Sequence, residues 1–233
     1  MRKIRSMILA CIVSLSLFSP MLLYAFACEQ QAHLMVVEWY DRGRGRIILY
    51  SIPPEDDSMT NPDYKLLPFW WHTTINYWIN PKNKYGFSTS DVIATITIAA
   101  ETWDANTTFE LFVFQGTTRK SAGVRDGYNV VAWGLYANPN VIAVTYIWYS
   151  GENILETDTK MNTWFPWSLT GETNKMDVQN IMTHEFGHWC GLDDLYEDKD
   201  YWLTMYGYAN YGETYKRTLG LGDILGLQAR YGP

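Results

Sequence analysis

The sequence predicts an α/β (α+β) domain: a β-rich first half backed by one helix, then a helix carrying a polar cluster, then a closing helix. Short runs rich in β-branched and aromatic residues recur between residues 74 and 161, as strands require. Apolar residues fall at helical spacing after Ser88, after Asp177 and again near the end of the chain. Gly, Pro and Asn punctuate the stretches between them.

Each element has a local reason. TINYWI (74–79) alternates as a strand does, and Pro81 ends it. Ser88 or Ser90 can cap a helix in which Val92, Ile96, Ala99, Ala100 and Trp103 form one apolar face. FELFVF (109–114), YNVVAW (128–133), VIAVTYIWY (141–149) and ILETDTKM (154–161) are further strands. Asp177 opens the second helix, which carries His184, Glu185 and His188, and Gly191 stops it. A looped stretch rich in Tyr, Gly and Asp leads to a final helix over residues 222–231.

Residues 28–66 differ in character from the rest of the chain. HLMVVEWY and RIILYSI flank DRGRG, whose glycines suit a hairpin turn, and PPEDDSMTNPD has the composition of a linker. This stretch is either a latency segment, with Asp56, Asp57 or Asp63 reaching into a catalytic site, or a stabilising hairpin. The main domain is expected over residues 67–233, and no internal repeat is evident.

The 233 residues have room for one well-cored domain plus a processed leader. Residues 1–27 have the pattern of a signal peptide: Arg2, Lys3 and Arg5, an apolar run from Met7 to Leu23, and Ala25-Phe26-Ala27 as a cleavage site. A secreted, extracellular protein is therefore expected. Pro20 interrupts the run, so no stable membrane span is expected; acylation at Cys28 is the lipoprotein alternative. Loss of the leader removes three basic residues and moves the net charge from −7 to −10. An acidic protein without a basic stripe is poorly suited to nucleic acid or anionic lipid. A hydrophobic share of 47% fits a globular chain, and the 11 Trp and 17 Tyr serve packing or a sugar-stacking surface. Cys11 leaves with the leader; Cys190 is a buried apolar residue, a partner for Cys28 or, least favoured, a metal ligand.

The chemistry concentrates in THEFGHWCGLDDL (183–195). His184 and His188, four apart on a helix, can direct one nitrogen each at a single metal ion. Glu185, next to the first, can reach a water beside that metal without ligating it. Zinc suits imidazole and carboxylate ligands, and a catalytic zinc keeps three protein ligands with one open position. Gly191 can turn the chain back to deliver a third ligand. Asp194 stands at the expected offset, with Asp193 as its rival. A satisfied core histidine pair is the bland alternative. Glu156 and Asp158 share one face of their strand, as a structural calcium site or a solvated strand face would both have it.

With these residues in view, the stretch from Leu66 to Gly232 resembles a metzincin, and within that clan a matrixin. YWINP (77–81) with AAETWDANT (99–107), MDVQNIMTHEFGHWCGL (176–192), LTMYGY (203–208) with Met205 in place of the Met-turn methionine, and LGLGDILGLQARYG (219–232) carry the likeness. The resemblance implies a twisted, mostly parallel five-stranded sheet with a backing helix, an active-site helix and a C-terminal helix. It also implies a monomeric zinc endopeptidase acting on extended peptides, with Glu185 as general base and His184, His188 and Asp194 as metal ligands; Asp in that third place is known in snapalysin-type metzincins. VIAVTYIWY is then either the edge of a substrate cleft or an ordinary core strand, and Tyr206 either shapes a specificity pocket or packs. No P-R-C-G-type switch precedes the domain, so thiol-based latency is not expected. His33 and His72 are too few for a second, structural zinc. An inert binding or adhesion module on the same scaffold is the alternative function, and the intact Glu185 argues against it.

Overall fold

The computed structural model describes residues 32–41 and 55–233. Seven strands among these residues form the main sheet. They are β1 (His33–Asp41), β2 (Ile75–Asn80), β3 (Phe112–Thr117), β4 (Asn129–Gly134), β5 (Val141–Ser150), β6 (Asn153–Asn162) and β9 (Tyr208–Ala209). Their order across the sheet is β3-β2-β4-β6-β5-β1-β9. Two short strands, β7 (Trp167–Ser168) and β8 (Met176–Asp177), pair separately. The helices are α1 (Thr89–Asp104), α2 (Val178–Trp189) and α3 (Leu221–Tyr231).

The expected five-stranded, mostly parallel sheet is the contiguous run β3-β2-β4-β6-β5, in which β5 alone runs against its neighbours. Strand β1 then adds to β5 in antiparallel register from His33↔Tyr149 to Tyr40↔Val141, and its last two residues pair in parallel with β9. The predicted RIILYSI strand, residues 42–45 of the DRGRG turn, the leader and Cys28 lie outside the described residues.

Local chemistry sets the element ends. Ser88, not Ser90, caps α1, its side chain accepting the Asp91 N–H. The buried face of α1 is the predicted one: Val92, Ile96, Ala99, Ala100 and Trp103. Strand β3 starts later than the expected 109–114, because Asp104 at the end of α1 accepts the Leu111 and Phe112 N–H groups; pairing with β2 then begins at Ile75↔Phe112. The indole of Trp103 donates to the Thr183 carbonyl at 2.8 Å, tying α1 to α2. Asp223 in the first turn of α3 accepts N–H groups from Gly220, Thr204 and Met205, so the closing helix holds the loop that carries Met205.

The structure corrects one expectation about β6. Glu156 and Asp158 do share a face of this strand, but it is not solvated: both are buried. Glu156 accepts the N–H groups of Asp126 and Gly127, and Asp158 those of Gly123, Val124 and Val130. The two carboxylates clasp the loop between β3 and β4 through backbone donors, a purpose that needs no calcium. Among the described residues no group of three acidic, His or Cys ligands forms around them.

Candidate metal centre

Helix α2 is placed at both ends by named contacts. Asp177 is its N-cap, accepting the Asn180 N–H at 3.0 Å, and Arg217 pairs with the same carboxylate. After Trp189 the chain turns at Gly191, whose φ of +86° is strained for any residue with a side chain. A Cβ there would also stand 2.9 Å from the Phe69 carbonyl oxygen. The turn sends Leu192, Asp193 and Asp194 back under the helix.

The structure brings His184, His188 and Asp194 into one buried triangle. His184 Nε2 lies 3.1 Å from His188 Nε2 and 3.2 Å from Asp194 Oδ1, and His188 Nε2 lies 3.6 Å from that oxygen. Ligands about 2.0–2.1 Å from a tetrahedral zinc stand about 3.3 Å from one another, so the spacing fits. Tautomers agree with it. His184 Nδ1 meets the Thr204 carbonyl at 2.7 Å and His188 Nδ1 the Leu192 carbonyl at 2.9 Å. Each Nδ1 must therefore carry the proton, which leaves both Nε2 lone pairs facing the centre. Asp194 Oδ1 is buried without a hydrogen-bond donor, while the Tyr196 hydroxyl donates to Oδ2 at 2.9 Å. An acceptor oxygen and two acceptor nitrogens converging in a buried space repel one another unless a cation joins them. Asp193, the rival, turns away to pair with Lys65 at 2.6 Å. Cys190 is buried and free, with its thiol pushed up by burial.

Glu185 projects toward the same space. Its Oε1 is buried with no hydrogen-bond partner, and its Oε2 accepts from Thr145 on β5 at 2.5 Å. A relay sets the direction of that bond. The Trp189 indole can only donate, and it donates to Thr159 Oγ1; Thr159 then donates to Thr145, and Thr145 to Glu185. Burial pushes the Glu185 carboxyl up to about 7, against the pull of His188 and the Thr145 hydroxyl. Burial likewise pushes His184 down to about 4, so its ring is neutral in neutral solution, the form that binds a metal. Gly187 leaves room beneath the centre, since a Cβ there would collide with the sulfur of Met205.

Strand β1 roofs the centre. The Trp39 indole stacks on His184, with ring centroids 3.8 Å apart and planes at 9°. His184, Glu185 and His188 are each 0% exposed. Tyr206 is buried against Tyr201 and Tyr208, and β5 is paired on both sides, by β6 and by β1. Asp56, Asp57 and Asp63 do not join the centre, contrary to one expectation. Asp63 pairs with Lys199, Asp56 accepts the Ser58 N–H, and the Asp57 carbonyl holds the turn at Thr60. Thr145, Thr159, Tyr196 and Trp39 escape sequence reasoning, because hydroxyls and rings on remote segments carry no spacing signal.

The family model described as Matrixin matches residues 69–232, a span that includes α1, the centre and α3. No curated protein matches the chain.

Proposed function

The chain belongs to the matrixin family, whose members are zinc-dependent metalloproteases, and on that premise we propose that it is a secreted endopeptidase cutting extended segments of protein substrates. The observation that carries the proposal is the buried triangle of His184, His188 and Asp194 with the unpartnered Glu185 Oε1 beside it. His184, His188 and Asp194 would hold zinc, which when bound supplies a Lewis acid that polarises a carbonyl and acidifies water.

The chain's own residues supply the rest. Glu185, steadied at Oε2 by Thr145, takes a proton on Oε1 from the attacking water and hands it to the leaving amine. Tyr196 and the Thr204 and Leu192 carbonyls orient the three ligands. An extended substrate would pair with β5 along the edge that β1 holds in this structure. Secretion rests on the basic start, apolar run and cleavage motif of residues 1–27. Among the described residues no helix is long and apolar enough to cross a membrane.

Purified secreted protein should cleave casein or gelatin, lose that activity with a chelator and regain it with zinc. Glu185→Ala should keep one bound zinc per chain yet lose about 10² to 10⁴ in rate, the usual worth of positioned acid–base catalysis. Undiminished cleavage by that variant would remove Glu185 from the mechanism.

A further inference from the structure

We propose that Thr159 and Trp189 are positioning residues for the general base: through Thr145 they fasten one oxygen of Glu185 and so fix the direction of the other. The proposal rests on the endopeptidase reading and extends its machinery to two side chains that hold no metal and touch no substrate.

Glu185 and Trp189 stand one turn apart on α2, at i and i+4, so their side chains leave the same face of the helix. Thr145 on β5 and Thr159 on β6 lie directly opposite one another in the antiparallel pair. The Trp189 indole donates to Thr159 Oγ1 at 2.8 Å, that oxygen lies 2.6 Å from Thr145 Oγ1, and Thr145 bonds Glu185 Oε2. The four side chains therefore close a ring with one turn of helix. Both ends of that turn are fastened to the same rung of the sheet.

The ends of the chain dictate its protons. An indole N–H can only donate, and an ionised carboxylate can only accept. Between them each hydroxyl has one proton to give, so each accepts from the tryptophan side and donates toward Glu185. No other arrangement satisfies both ends.

Nothing at the site can stand in for a lost member. Thr145, Thr159, Glu185 and Trp189 are each 0% exposed. The Trp189 ring packs against Tyr77, Phe112 and Phe186, so the core itself holds the first donor. Buried hydrogen bonds in series polarise and strengthen one another.

Other buried carboxylates show what a purely structural role looks like in this fold. Asp223 and Asp158 each accept three backbone N–H groups. Glu185 takes the Thr145 hydroxyl at Oε2, while its Oε1 has no partner among the described residues. The terminal torsion of a glutamate is broad and two-fold, so a carboxylate held by one bond loses its orientation with that bond. A misplacement of about 1 Å at a reacting group can cost about 10² in rate.

The test measures kcat and KM of the secreted, zinc-loaded protein on fluorescein-labelled casein. Thr145→Val keeps the shape and removes the hydroxyl. It should lower kcat about 10- to 100-fold, with KM within about twofold and one zinc per chain retained. Thr145→Ser should bring kcat back to within about threefold of the parent protein. Trp189→Phe and Thr159→Val should each lower kcat about three- to tenfold, and neither should lower it further in the Thr145→Val background, because both act through that hydroxyl. A second readout needs no turnover. In a nitrogen–proton correlation spectrum, Glu185→Gln should move the Trp189 indole proton upfield, since the far end of the chain loses its charged acceptor. The Trp167 indole, which donates to the Asn162 carbonyl, should stay where it is. Trp189→Phe and the spectrum carry the test if the buried valine variants do not fold. The proposal is overturned by a Thr145→Val kcat within about twofold of the parent, by a serine variant as slow as the valine one, by Trp189→Phe losses that add in full, or by an unmoved Trp189 indole. A parent protein that cleaves nothing, while its Trp189 indole responds to Glu185→Gln, would sink the protease and leave the relay standing.

Discussion

Single side chains decide whether the centre can work. Tyr196 holds one oxygen of Asp194 and leaves the other aimed at the two imidazoles. Outer partners of this kind are typically worth about 10- to 100-fold in metal affinity. Tyr196→Phe should therefore weaken zinc binding by about that factor in a chelator competition, with little change in fold. An unaltered zinc affinity would show that Asp194 is held by the Gly191 turn alone. Glu185 depends in the same way on Thr145, since that hydroxyl fixes which carboxylate oxygen stays free.

At the scale of elements, the centre is a junction of α2, the loop carrying Met205, and α3. Asp223 makes that junction: one buried carboxylate accepts three backbone N–H groups from two segments. Asp223→Ala would leave those donors buried and unpaired at about 1–3 kcal/mol each before relaxation. We expect a loss of about 3–5 kcal/mol in unfolding free energy by urea denaturation. A loss under about 1 kcal/mol would mean that water replaces the carboxylate without strain. Elements are legible in the sequence where one periodicity rules them, as in α1 with its single apolar face. The start of β3 is not, because Phe109 and Leu111 look like strand residues, while the Asp104 side chain, which claims the Leu111 N–H, acts across a turn.

For the whole molecule, buried carboxyls set the response to pH. Burial pushes Asp158 up to about 7 despite three backbone donors, and pushes Asp104 up to about 6. In the unfolded chain both titrate near their ordinary value of about 4. Between those limits the folded protein holds protons that the unfolded chain has released, so stability from these groups falls as pH rises. The metal-free protein should show a urea midpoint that declines from about pH 4 to about pH 7, and Asp158→Asn should flatten the slope. A midpoint that climbs with pH across this window, with no change in slope for the variant, would contradict the assignment. Asp63 beside Lys199 is lowered but exposed, and solvent screens its opposing effect, while the lowering of buried Asp194, where burial is overcome by the two histidines, acts below about pH 4. His184, pushed down to about 4, opposes the trend inside the window, and Glu185, raised to about 7, offsets it.

The sequence by itself determined the strand and helix order of the main domain, the helix that presents His184, Glu185 and His188, and the turn at Gly191. These follow from spacing along one chain: helical and strand periods, caps, and a glycine that tolerates positive φ. Only the tertiary structure decided which aspartate faces the histidines, because Lys65 draws Asp193 away. It alone buried Glu156 and Asp158 beneath a loop, and it alone laid β1 along β5 with Trp39 on His184. Those outcomes depend on partners far away in sequence, and periodicity carries no information about which remote surface a strand or a carboxylate will meet.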